Sequence, residues 1–270
     1  MKYFFLIIGI LFLLTKIRAQ DPKLFTRDLN RTNIPYGSAK SLQGKVRVVN
    51  CFVSTESRSW KAKEKNKVIK MEEKGFEWII SSAEQLKIKA DLSFSVSNIG
   101  MDEDIRLTKI ESSQEPKTLN VNWVPLVLNK AGYSNLSEFY DSIRIFDQVD
   151  NICILIFAKS AGRSYAQPSN SNNKRSIRFL EGAVIYSDGM IGFKEINSAL
   201  IMHEMLHLFG ARDIYISKGF DPDFEKIVKS TLWNSIMVDD LKHIDFLELD
   251  QLTTWCIGWS HTYWSWYDLF

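Results

Sequence analysis

The chain has 270 residues, of which 45% are hydrophobic and 24% are charged, a composition that excludes a disordered protein and indicates a globular one. The net charge of +2 is too small to indicate nucleic-acid binding. This length predicts one domain, with a core that needs no dense network of disulfides.

The first predicted element is a cleaved secretory signal over residues 1–19. Lys2 precedes an unbroken apolar run from Tyr3 to Leu14, and Ala19 supplies a small residue for cleavage. The apolar run is short for a membrane span, and an uncleaved anchor is the alternative. We therefore expect a secreted protein, extracellular or periplasmic, without stable membrane association after cleavage.

Secretion makes cysteine pairing relevant. Cys51 and Cys153 lie within apolar, β-rich runs, and Cys256 lies in the segment TTWCIGW. We expect buried free thiols, although one disulfide remains an alternative, since three cysteines cannot all pair within the chain. None of the three has the surroundings of a catalytic thiol.

Residues 20–44 are polar and rich in turn-forming residues, and they predict an extended N-terminal arm. Residues 45–55 then predict a strand that is covered on both faces. A helix is predicted over residues 61–86, where lysine and glutamate alternate on what we expect to be a solvated face. Its apolar face should contain Ile69, Phe76, Ile79, Ile80 and Ala83.

The remaining predicted elements are further strands and helices. They are a strand over 87–99, a helix over 137–146, a buried strand over 151–160, a loop over 161–176, a strand over 179–190 and a helix over 192–210. This order predicts an α/β (α+β) protein, in which helices pack on a mixed sheet.

The last of these helices contains the segment HEMLH. His203 and His207 are four residues apart, so a helix places them on one face. Two imidazoles at this spacing can bind one zinc ion, and Glu204 can accept a proton from the water bound there. The motif also occurs by chance, and the alternative is a helix whose histidines bond to neighbouring groups.

Two further features favour the zinc site. Gly210 follows the second histidine and can adopt a positive φ, so the chain can turn back and bring Asp213 to the metal as a third ligand. Further along, the segment NSIMVDD contains Met237 in what we predict to be a tight turn.

With these two motifs, the chain resembles the metzincin zinc endopeptidases. The aspartate in the third position is similar to that of the snapalysin-type subset. The resemblance implies a zincin fold with a twisted, mixed five-stranded sheet over residues 45–210. It also implies a small C-terminal subdomain over residues 211–270, which contains the Met-turn and a helix.

The resemblance also implies the roles of the site residues. His203, His207 and Asp213 would bind one Zn²⁺, Glu204 would act as general base, and Met237 would form the floor of the site. Many relatives place a tyrosine two residues after this methionine. Asp239 holds that position here, and Tyr215 is a weak candidate to replace the tyrosine.

The family further implies an edge strand along the cleft. We assign it to residues 181–186, with Gly182, Ala183 and Val184 pairing with a polypeptide substrate in an extended conformation. A monomer is expected.

Two alternatives to this ligand set remain open. Asp239, Asp240 or His243 could complete the site instead of Asp213. In a thermolysin-like arrangement, Glu225 from a second helix would be the third ligand.

The main functional hypothesis is a secreted zinc metalloendopeptidase. The alternatives are a catalytically weak zinc-binding protein on the same fold and a zinc amidase that acts on a non-protein amide. The aromatic tail GWSHTYWSWYDLF could stack on sugars, but we expect it to pack on the C-terminal subdomain.

Overall fold

The fold is seen in a computed structural model that describes residues 37–55, 57–107, 123–168, 181–189, 195–214, 222–240, 242–264 and 266–267. The predicted signal over residues 1–19 lies outside the described residues, as does Tyr215. Within these ranges, no helix combines the length and apolar character that crossing a membrane requires.

A single mixed sheet forms the centre of the molecule. Its strands run in the order β2-β1-β4-β6-β5, and β3 pairs with the end of β1. All pairings are parallel except that of β5 with β6. The strands are β1 (Lys45–Ser54), β2 (Ser93–Ile99), β3 (Ile105–Arg106), β4 (Asn151–Gly162), β5 (Tyr165–Gln167) and β6 (Gly182–Gly189). The mixed α/β class is thus confirmed, with six described strands where the resemblance implied five.

Helices cover both faces of this sheet. In chain order they are α1 (Ala62–Gln85), α2 (Trp123–Lys130), α3 (Leu136–Asp147), α4 (Ser198–Leu208), α5 (Pro222–Ile227) and α6 (Gln251–Cys256). A π-helix (Val228–Leu232) and a 3₁₀ turn (Ile244–Phe246) lie between the last two. Side chains of α1 and α4 pack on one face, and those of α2 and α3 pack on the other. This arrangement explains why β1 is apolar on both faces, as predicted.

Several predicted boundaries were wrong for local reasons. The strand predicted over 87–99 begins only at Ser93, because Lys87 and Asp91 have positive φ and turn the chain before it. The helix α2 was not predicted, and β5 lies inside the predicted loop 161–176.

The apolar face of α1 contains two charged residues. Phe76, Ile79 and Ala83 are buried against the sheet, as predicted. Lys65 and Glu72 are buried on the same face, where the alternation of lysine and glutamate had predicted solvent.

The prediction that Gly182, Ala183 and Val184 line an exposed sheet edge is wrong. Strand β4 pairs with one side of β6, and β5 pairs with the other over these three residues. After β4 the chain turns back at once, so the short strand β5 covers the edge that β6 would otherwise have left open. Among the described strands, the edge of the sheet on this side is therefore β5.

The described part of the N-terminal arm, residues 37–44, packs into the domain. Ala39 and Leu42 are fully buried in the core. Leu42 accepts a hydrogen bond from the indole of Trp259 and donates its backbone N–H to the carbonyl of Ile257 at 3.0 Å. The arm thereby contacts the part of the chain that follows α6, in the region expected to form the C-terminal subdomain.

The aromatic tail packs on the C-terminal subdomain, as expected. The rings of Tyr263 and Tyr267 contact Trp255, and the hydroxyl of Tyr267 donates to the carbonyl of Gln251 at 2.8 Å.

All three cysteines are free thiols, as predicted. Cys51 and Cys153 are fully buried, whereas Cys256 is partly exposed.

Candidate metal centre

The centre is built on α4, a helix that is apolar and buried along most of its length. The side chain of Asn197 caps its N-terminus by accepting from the backbone N–H of Leu200 at 2.9 Å. One turn apart on the same face, the rings of His203 and His207 lie 4.7 Å from centroid to centroid. Because Asn197 and the apolar positions fix the helix, the two imidazoles are held in place.

Gly210 ends the helix with a defined turn. Its φ is +98°, a value that L-residues with side chains rarely adopt. The backbone N–H of Gly210 bonds to the carbonyl of His207 at 2.9 Å, and that of Ala211 bonds to Leu206 at 3.2 Å. These two bonds form a Schellman motif, which turns the chain back as the sequence predicted.

The turn brings Asp213 against both histidines. Its Oδ1 lies 3.2 Å from Nε2 of His203 and 3.2 Å from Nε2 of His207, and the two Nε2 atoms are 3.1 Å apart. The three atoms therefore form a nearly equilateral triangle. In a tetrahedral zinc site with bonds of about 2.0–2.2 Å, the ligand atoms are roughly 3.3 Å apart, so the triangle fits one face of such a site.

Glu204 lies beside this triangle. Together with His203 and His207, it offers ligand atoms within 4.8 Å of one another. Its Oε2 is buried and has no hydrogen-bond partner within the described part of the chain. An orphaned carboxylate oxygen at this place suits a group that bonds to a metal-bound water, since buried polar atoms otherwise find partners.

Two backbone carbonyls orient the imidazoles. Nδ1 of His203 lies 3.0 Å from the carbonyl oxygen of Ile236, and Nδ1 of His207 lies 2.8 Å from that of Ala211. Because a carbonyl can only accept, each Nδ1 carries a hydrogen, so the Nε2 of a neutral imidazole would be free to bind a metal.

Met237 lies in the turn that carries the first of these carbonyls. Its side chain is fully buried, and its own carbonyl accepts from the backbone N–H of Ile214 at 3.0 Å. The turn is thus joined both to the helix and to the segment that follows Asp213.

Burial and charge set the ionisation of the carboxyl groups. The pKa of Glu204 is raised to about 8, chiefly by burial; His207 and Arg163 oppose the rise, and the nearby carboxylates of Asp213 and Asp240 add to it. Burial also disfavours ionisation of Asp213, but the two histidines, through the hydrogen bonds and positive charge that their imidazoles supply when protonated, outweigh it and hold the pKa of Asp213 well below the ordinary value.

Three of the four alternative ligands have partners elsewhere. Glu225 pairs with Lys229 on an exposed surface of the molecule, so the structure does not favour it as a third ligand. Asp239 pairs with Lys242 at 3.4 Å, and His243 pairs with Asp245 at 3.2 Å.

Asp240 differs from these groups, because it interacts electrostatically with His203 and Asp213. Burial raises its pKa, and the charge of His203 opposes that rise.

The sequence prediction named the three triangle residues and Glu204 correctly as neighbours. It missed the orienting carbonyls of Ile236 and Ala211, for which no side-chain signal exists. It also missed Asp250, which caps α6; an aspartate directly before a helix is the signal that could have found it.

Comparison with known proteins adds no family to this description. No protein-family model matches the chain, and no curated protein matches it either.

Proposed function

We propose that the chain is a secreted zinc metalloendopeptidase of metzincin-like type. The observation that carries the proposal is the triangle of His203 Nε2, His207 Nε2 and Asp213 Oδ1, with the unpartnered carboxylate of Glu204 beside it. A bound zinc ion would polarise the scissile carbonyl and lower the pKa of its water to roughly 7.

Glu204 is the group that moves protons. Burial raises the pKa of this carboxyl, and the positive charge of a bound zinc ion would oppose that rise and favour the carboxylate form. The carboxylate could then accept a proton from the attacking water and return it to the amine of the leaving product. An intact glutamate favours an enzyme over a binding protein, which has no need of this carboxylate.

The edge strand β5 is the proposed place for the substrate. It lies beside α4, and among the described strands none pairs with its outer edge. An extended polypeptide could add to β5 as a further strand and so pass the metal centre. This proposal replaces the earlier assignment of the substrate strand to residues 182–184.

Metal analysis together with cleavage of an unfolded protein tests the proposal. We expect the wild type to bind one zinc ion and to cleave, and Glu204→Gln to keep its zinc while losing at least about 100-fold in activity. Glu225→Gln is the matched control, because it removes the carboxylate of the thermolysin-like alternative, and it should behave as wild type.

Other results would favour the alternatives. A wild type that binds zinc but cleaves no unfolded protein would indicate the zinc-binding protein or, if it hydrolyses a non-protein amide, the amidase. A loss of zinc in Glu225→Gln would instead support the thermolysin-like arrangement.

A further inference from the structure

A buried carboxylate in the C-terminal subdomain has more hydrogen bonds than its helix cap requires. Asp250 is 5% exposed. Its Oδ1 accepts from the backbone N–H groups of Leu252 and Thr253 at 2.8 and 3.0 Å, which caps α6. Its Oδ2 accepts from the hydroxyls of Ser235 and Thr253, each at 2.5 Å.

The bond to Ser235 leads out of the helix cap. Ser235 is fully buried, and its Oγ accepts from the backbone N–H of Met237 at 3.0 Å. Since an ionised carboxylate has no proton to give, the serine hydroxyl must donate to Asp250 and direct its lone pairs toward Met237. The carboxylate thereby sets the direction of both bonds.

Between Ser235 and Met237 lies Ile236, whose carbonyl orients the proposed ligand His203. Ile236 accepts from Nδ1 of His203 at 3.0 Å, and its own N–H is bound by the carbonyl of Glu248 at 3.2 Å. The hydroxyl of Ser235 holds this turn, because it bonds both to Asp250 and to the backbone N–H of Met237. A shift of the turn would move the carbonyl and, with it, the imidazole plane.

We infer that Asp250 is a positioning residue for the metal centre, which acts through Ser235 and the Ile236 carbonyl on His203. The inference rests on the proposed zinc site, but not on hydrolysis. A cap alone would not require the buried charge, because asparagine caps helices about as well as aspartate. Two accepting oxygens are needed, Oδ1 for the cap and Oδ2 for the two hydroxyls, whereas an asparagine has only one. One of the hydroxyls belongs to the turn.

Two variants separate the positioning role from simple stability. Ser235→Ala and Thr253→Val each remove one buried hydroxyl that donates to Oδ2 of Asp250, but only Ser235→Ala breaks the link to Met237. In competition with a chelator, we expect Ser235→Ala to bind zinc about 10-fold more weakly than wild type, the usual size of an outer-shell effect. Thr253→Val should change the affinity by less than about 2-fold.

Asp250→Asn provides the test if Ser235→Ala does not fold. The asparagine keeps an oxygen for the helix cap but offers N–H groups where the serine hydroxyl needs an acceptor. It should also weaken zinc binding about 10-fold. Equal zinc affinity in wild type, Ser235→Ala and Asp250→Asn would overturn the inference, as would an equal loss in Thr253→Val.

The two proposals fail in different ways. If the wild type binds zinc but does not cleave, the peptidase is wrong and the affinities still test Asp250. If the wild type cleaves and all variants hold zinc equally, the peptidase stands and the positioning role is wrong.

Discussion

At the scale of single residues, the third ligand sets the reactivity of the proposed site. Asp213 contacts both histidines at 3.2 Å and is anionic, whereas a histidine would be neutral. An anionic ligand lowers the net positive charge at the metal by one unit, so the water bound there should be less acidic. For this reason we expect the wild type to be active at higher pH than a site with histidine as the third ligand.

Asp213→His tests this effect. A neutral ligand leaves more positive charge at the centre, which favours the deprotonated form of the water and lowers its pKa. The acidic limb of the kcat/KM profile should therefore move to lower pH, by about one unit. Asp239→Asn, which removes a nearby charge outside the triangle, is the control. A limb that stays in place or moves to higher pH would contradict the prediction.

Gly210 provides a second prediction at this scale, because the structure contains a matched glycine. Gly210 and Gly132 have φ values of +98° and +97°, and a Cβ on Gly132 would meet no atom within 4 Å. Substitution by alanine at either position should lower the free energy of unfolding by about 1–2 kcal/mol, because of backbone strain. Only Gly210→Ala should also weaken zinc binding, because it disturbs the turn that brings Asp213 to the histidines.

Urea unfolding and zinc titration of both variants check this prediction. An equal zinc affinity in Gly210→Ala and Gly132→Ala would mean that the turn does not position the third ligand.

At the scale of elements, the contact between α1 and the sheet contains a buried acid. Glu72 is fully buried, and its Oε2 accepts from the side chain of Asn50 at 2.7 Å. Its Oε1 and the Oδ1 of Asn50 have no partner within the described residues. Burial raises the pKa of Glu72 to about 7; the bond from Asn50 opposes the rise and Glu73 adds to it.

This pKa predicts that stability falls as the pH rises. The folded-state pKa of Glu72 is above the value of 4.5 expected for an unfolded chain, so the proton stabilises the fold fully below pH 4.5. The stabilisation is lost as the pH rises through about 7. Glu72→Gln cannot ionise, so between pH 5 and pH 8 it should gain about 2–3 kcal/mol relative to wild type.

Urea unfolding of the two proteins at several pH values measures this difference. Glu73→Gln, which removes an exposed neighbouring charge, should follow the wild type. A pH-independent difference between wild type and Glu72→Gln would show that Glu72 is ionised throughout.

The same helix shows which elements could be predicted from sequence. The repeat of Phe76, Ile79 and Ala83 predicted α1, and the spacing of the histidines with Gly210 predicted that Asp213 meets both imidazoles, because these signals are local. Buried charge on α1 could not be predicted, since its partners come from distant strands and loops. The pairing of β5 was missed because a three-residue strand carries no periodicity.

At the scale of the whole molecule, the N-terminal segment 38–42 connects the sheet to the C-terminal subdomain. At one end, the buried carboxylate of Glu181 accepts from the backbone N–H groups of Ser38 and Ala39 at 2.5 and 3.0 Å. At the other end, Leu42 bonds to Ile257 and Trp259. A segment held at both ends should make the two parts of the molecule unfold together.

Glu181→Gln tests this connection. The glutamine would place an amide donor where the carboxylate accepts from two N–H groups, and leaving one of them unpaired should cost about 1–3 kcal/mol. We expect a lower urea midpoint with one shared transition, followed by far-ultraviolet dichroism and by tryptophan fluorescence, while zinc affinity stays unchanged because His203 and Asp213 are not touched. Glu77→Gln, an exposed position on α1, is the control. If the fluorescence changed well before the dichroism in the wild type itself, the subdomains would unfold separately, and the segment would not couple them.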